Sequence, residues 1–106
     1  IDSRAEAGTE TLVRLLLRRW GCDVELQVSI DGVGRVDLLV NGWLIIECDS
    51  KQFHSDWNQQ RIDYQRDRAL AALGFTVLRL TAEDILYRFE DVASALRGLI
   101  FANRRG

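Results

Sequence analysis

The chain has 106 residues, of which 47% are hydrophobic and 28% charged, and its net charge is −2. That length supports one core and not two, and the negative balance excludes a general basic field as the means of holding nucleic acid. Two cysteines without CxxC spacing, beside a single histidine, exclude a structural zinc site.

Two further readings concern the chain as a whole. It has no signal peptide and no apolar run long enough to span a bilayer, so the cytoplasm is the expected compartment. Methionine is absent, so Ile1 is not a native start, and the expectation is a single domain, 1–106, cut from a longer protein or trimmed at its N-terminus. Cys22 and Cys48 read as free, buried thiols.

The first element is a helix over Ser3 to Arg19. Leu12, Leu15, Leu16 and Trp20 recur at three- and four-residue steps and predict its buried stripe. Ser3 with Glu6 fits a capping box, and Gly21 fits a stop. Glu6, Glu10 and Arg14 stand four apart on an adjoining face. They are either an exposed charge ladder or a means of bringing Glu10 to a site. Val24 to Ile30 then alternates as a strand, with Val24, Leu26 and Val28 on one side, and Asp31-Gly32 supplies a turn.

The stretch from Gly34 to His54 holds the chemistry. Apolar runs Val36–Val40 and Trp43–Ile46 flank Asn41-Gly42, a strong hairpin signal. Asp37 interrupts the first run, and Glu47 and Asp49 close the second. Carboxylates in near-continuous apolar strands are costly unless a cation, a partner or water meets them. Three on one hairpin repel one another, and a bound metal relieves that.

Register decides whether they meet. A two-residue loop pairs Val40 with Trp43 and leaves Glu47 on the face opposite Asp37. An odd loop, with Val40-Asn41 as a type I turn and Gly42 as a G1 bulge, pairs Leu39 with Trp43 and gathers all three acids. A single hard-oxygen site therefore requires an odd loop or a bulge. Glu47 and Asp49, two apart on a strand, point the same way, while Cys48 turns to the core and offers only its backbone carbonyl. Such a set suits Mg²⁺ or Mn²⁺.

Beyond a polar connection holding Lys51 and His54, Trp57 to Leu73 reads as a helix with Ile62, Ala69, Leu70 and Leu73 as its apolar face. Asp63, Arg66 and Asp67 edge that face, and Asp63 with Arg66 is either an intrahelical pair or part of the site. Phe53 and Trp57 are aromatic enough to stack on bases, although core packing is their commoner use. Thr76 to Leu80 is a strand, Thr81 with Asp84 starts another helix, and Val92, Ala95, Leu96, Leu99 and Ile100 make a final apolar stripe. The order α-β-β-β-α-β-α, without repeats, predicts an α/β domain. Its mixed four-stranded sheet carries helices on both faces and ends in a right-handed parallel crossover.

With these elements placed, the run RVDLLV…LIIECDSKQFH…DYQRDRALAALGFTVLRL resembles a bacterial family related to the very-short-patch mismatch-repair endonucleases, within the PD-(D/E)XK nuclease superfamily. The resemblance extends from Glu10 to Leu80. It rests on an acid in the first helix, Asp in the second strand and ExD ending the third. A His follows five residues on, then Asp-x-x-Arg in the next helix and Gly-aromatic-x-Val-Leu.

The resemblance implies a restriction-endonuclease-like fold and a Mg²⁺- or Mn²⁺-dependent endonuclease acting on DNA, with RNA as the alternative substrate. It implies Glu10, Asp37, Glu47, Asp49, His54 and Asp63 as active-site residues. Asp37, Glu47, Asp49 and the Cys48 carbonyl, the hard-oxygen set above, would be metal ligands, and Arg66 would support the site or contact phosphate. The superfamily's usual lysine, two residues after the Glu, is Asp49 here. His54 is then the candidate base or phosphate contact and Lys51 the substitute cation. The competing expectation is an inactive nuclease-like module that binds nucleic acid or a protein partner.

Overall fold

A computed structural model describes residues 3–49 and 57–102, with side chains from residue 8 onward. The elements are α1 (Ser3–Arg19), β1 (Val24–Ile30), β2 (Gly34–Val40), β3 (Leu44–Asp49), α2 (Trp57–Ala72), β4 (Thr76–Thr81), α3 (Ala82–Tyr87) and α4 (Phe89–Arg97), followed by a π-helical turn, Gly98–Ala102. The strands form one mixed sheet in the order β1-β2-β3-β4. The first three are antiparallel, and β3 and β4 run parallel. The expected mixed sheet is present, and the last helical segment is broken at Arg88 into two helices. The Thr81 hydroxyl accepts the Asp84 N–H at 3.0 Å, the cap expected there. No helix among the described residues is long and apolar enough to cross a membrane.

Both faces of the sheet are covered. On one, Leu38, Val40, Leu44, Ile46 and Leu80 pack with Val13 and Leu17 of α1 and with Ile85, Val92, Leu96 and Ile100 of the C-terminal helices. On the other, Val36, Leu39 and Ile45 pack against Leu70 of α2. Burial on both sides is why β2 and β3 read as apolar runs rather than alternating patterns.

The helix stripes differ from those expected. In α1 the fully buried apolar residues are Val13 and Leu17, with Thr9 buried one turn before Val13, while Leu12 and Leu15 are exposed. Five apolar residues lie within six positions, so several stripes share the helical period, and packing selects among them. In α2 Leu70 is buried but Ile62 is exposed, and Leu73, expected on the same face, lies just past the end of the helix and is exposed. Of the final stripe, Ala95 is exposed and Ala93 is buried instead.

β1 also departs from simple alternation. Val24 packs on the α1 side, whereas Val28 packs on the α2 side and Leu26 is exposed. The cause is Gln27, whose φ of 52° lies in the left-handed region. It stands between the Leu26–Leu38 and Val28–Val36 pairs, level with Asp37. Both strands change face there, and Val36 joins the α2-side core while Leu38 joins the other.

Candidate active site

The hairpin loop sets the site. Asn41 and Gly42 both have positive φ, at 54° and 78°. An asparagine tolerates this and a glycine adopts it without steric cost, which suits a primed turn. The Trp43 N–H donates to the Val40 carbonyl at 3.1 Å, yet Val40 pairs with Leu44, so Trp43 is an extra residue. The Trp43 carbonyl instead accepts the Thr76 N–H at 3.0 Å, extending the ladder to β4. The loop is therefore odd, as a single acidic site requires. The expected type I turn with Leu39 opposite Trp43 is not found, because the primed turn puts Leu39 opposite Ile45. That two-residue slip preserves parity and brings Asp37 level with Glu47.

At this level the strands part. Ladder pairing between β2 and β3 ends at Leu38–Ile46, while β3 stays paired with β4 as far as Asp49–Thr81. Side chains replace the missing ladder bonds. The Asp37 N–H donates to Glu47 Oε2 at 2.9 Å, and the Cys48 N–H donates to Asp37 Oδ2 at 2.8 Å. Each carboxylate thus satisfies a backbone donor that the fork would otherwise leave unpaired.

Helix α2 closes the fork from above. Gln59, Ile62, Asp63 and Arg66 recur at helical spacing and, with Asp37, Glu47, Cys48, Asp49 and Arg79, line a cavity of about 320 Å³. Arg66 Nη2 lies 3.0 Å from Glu47 Oε1 and also donates to the Arg35 carbonyl. Gly34, beside it, has φ +117°, a backbone conformation that favours glycine, and a Cβ there would only touch Arg66 Nη1 at 3.4 Å. Asp63 accepts from Gln59 at 3.1 Å, and Asp67 pairs with Arg79 at 2.7 Å. Arg66 reaches across to the sheet, so the intrahelical Asp63–Arg66 pair does not form.

Glu47 is only 8% exposed. Burial pushes its pKa above the usual glutamate value, and the negative charge of Asp37 adds to this. The bond from the Asp37 N–H and the charges of Arg66 and Arg79 oppose the rise without cancelling it. Burial also pushes the Cys48 thiol up to about 12, helped by the negative charges of Asp37, Glu10 and Glu47. Cys48 packs on the α1-side core, as expected of the residue between two site-facing acids.

The structure thus brings Asp37, Glu47, Asp49, Asp63 and Arg66 to one cavity. Glu10 is not among its lining residues; it stands on α1, across the sheet, and acts electrostatically on Cys48. Lys51 and His54 lie outside the described residues. Among the described residues, no group of three or more His, Cys, Asp or Glu side chains is assembled to hold a metal ion. Sequence reasoning missed Arg79 and Gln59. Arg79 had a signal, being a charge inside an apolar strand just as Asp37 is.

No curated protein matches this sequence. The fold is similar to that of the homing endonuclease I-Bth0305I catalytic domain. Their TM-score is 0.70, covering 85% of this chain and 90% of that one, at 18% sequence identity. The likeness to that domain is therefore one of fold. Residues 10–100, most of the chain, match the family REase_MTES_1575. The acid-bearing fork, the four-stranded mixed sheet and this match together place the chain in the restriction-endonuclease-like family REase_MTES_1575, a family of nucleases.

Proposed function

We propose that the chain is a metal-dependent endonuclease domain of PD-(D/E)XK type, related to the very-short-patch endonucleases, that hydrolyses phosphodiester bonds in DNA. One observation carries this reading: Asp37, Glu47 and Asp49 line a single cavity that Arg66 and Arg79 also enter. Oxygen donors from two strands suit Mg²⁺ or Mn²⁺, and Glu47, whose pKa is raised first by burial and then by the charge of Asp37, is a carboxylate that a divalent cation would compensate.

In this reading Asp37, Glu47, Asp49 and the Cys48 carbonyl hold the ion. When bound, it supplies Lewis acidity toward the phosphodiester and toward water. The chain's own residues do the rest. Arg66 turns from Glu47 to a phosphate oxygen and, with Arg79, offsets the charge that develops during in-line attack. Asp63 orients the groups around it from α2. His54 takes or relays the proton of the attacking water, Lys51 contacts phosphate, and Glu10 contributes charge from beyond Cys48.

Plasmid nicking with Mg²⁺ and Mn²⁺ tests the proposal, comparing wild type with Asp37→Ala and Glu47→Ala. Cleavage by wild type alone is expected, and equal cleavage by all three refutes the site. A second reading also has an observation behind it: the carboxylates of Asp37 and Glu47 are already engaged by backbone N–H groups and Arg66. A self-satisfied fork of this kind suits an inactive binding module, and absence of cleavage by wild type with either metal would favour it.

A further inference from the structure

The inner face of α2 serves the cavity, and its outer face has a different composition. At 100° per residue, Trp57, Arg61, Tyr64 and Arg68 fall within an arc of about 60°. Gln59, Asp63, Arg66 and Leu70 are centred on the opposite side of the helix. Trp57 and Tyr64 are 63% and 57% exposed, so neither does the core packing usual for such residues. Arg61 and Arg68 are exposed as well. Arg61 bonds a neutral group, Asn58 Oδ1 at 3.2 Å, and among the described residues neither Arg61 nor Arg68 makes an ion pair.

The charge of α2 is sorted by face. Its two acids, Asp63 and Asp67, turn inward to Gln59 and Arg79. The outer stripe is left with two guanidinium groups, two aromatic rings and no carboxylate, on a chain of net charge −2. A polyanion complements that pattern better than another acidic protein surface does. Alternating rings and cations also suit unpaired bases, whose faces are open for stacking, better than a closed duplex.

We infer that the outer face of α2 is a single-stranded nucleic-acid track, with Trp57 and Tyr64 stacking on bases and Arg61 and Arg68 meeting phosphates. The stripe is about 16 Å long and starts at Trp57, two and five residues before the cavity-lining Gln59 and Ile62. A strand leaving the cavity over the start of α2 meets it directly. The inference rests on the nuclease reading only for the chemistry of the partner.

The test measures binding of a labelled single-stranded oligothymidylate by fluorescence anisotropy, in EDTA, so that no turnover is needed. Trp57→Ala and Tyr64→Ala should each weaken binding about tenfold. Arg61→Gln with Arg68→Gln should lower the slope of log affinity against log salt by about 1.4. Tyr87→Ala, which removes an exposed ring on α3 outside both the stripe and the cavity, should bind like wild type, and because no turnover is read this outcome stands apart from that of the nicking assay. Trp57→Phe, a fold-preserving control, should keep binding and lose the oligonucleotide-dependent quenching of tryptophan fluorescence. The inference is overturned if wild type does not bind the single strand, if the stripe variants bind as wild type does, or if duplex binds more tightly than single strand.

Discussion

Replacing Arg66 by methionine isolates the electrostatics of the fork. The substitution keeps the aliphatic stem and removes the guanidinium from Glu47 Oε1 and from the Arg35 carbonyl. Side-chain exposures of 24% and 11% make this a partly buried pair, so it is worth more than a surface bridge. A hydrogen bond to a charged group contributes about 1.5–3 kcal/mol, and Arg79 remains as a second cation acting on Glu47. The expected loss at pH 7.5 is therefore about 2 kcal/mol from the pair, plus about 1.5 kcal/mol from the charge-assisted bond to the Arg35 carbonyl.

The two parts separate by pH. The folded pKa of Glu47 already lies above its unfolded value, and loss of Arg66 moves it further up. A carboxyl shifted this way contributes stability below the unfolded pKa, and loses it as pH rises through the folded pKa. The variant should thus fall further behind wild type as pH rises through the folded-state titration of Glu47, while the Arg35 part stays constant. Urea unfolding from pH 4 to 8, read as midpoints at unchanged m, measures this. A deficit independent of pH, or one that shrinks toward neutrality, would refute the reasoning.

Other outcomes follow from the same geometry. Glu47→Gln should unfold at higher urea than wild type at pH 7.5, because burial disfavours the carboxylate, and the difference should vanish below about pH 4. Cys48, with its thiol pushed up to about 12, should react with iodoacetamide at pH 8 on the order of a thousand-fold more slowly than an ordinary exposed thiol. Mass mapping of the labelled chain reads this directly. Leu17→Ala should cost about 2–5 kcal/mol, since Leu17 is fully buried. Leu15→Ala should cost well under 1 kcal/mol, since Leu15 is 55% exposed, and equal losses would contradict the phase of α1. Mn²⁺ should raise the melting temperature of wild type and not that of Asp37→Ala, read by thermal scanning with and without EDTA.

Local signals were sufficient for much of this architecture. Element order, the α1 bounds, the β1 bounds and the Thr81 cap were legible because periodicity and capping are properties of neighbouring residues. Asp37, Glu47 and Asp49 stood out in the sequence because charges in apolar strands demand a reason. Three things needed the folded chain. The phase of α1 turned on which of several equivalent stripes met the sheet. The face change at Gln27 and Asp37 came from one residue entering the left-handed region, for which a glutamine carries no signal. The use of Arg66 against Glu47, rather than Asp63, depended on how α2 lies over the fork. Local chemistry determined which groups needed partners, and long-range packing decided which partners they received, because separations of 10 to 31 residues along the chain close only in three dimensions.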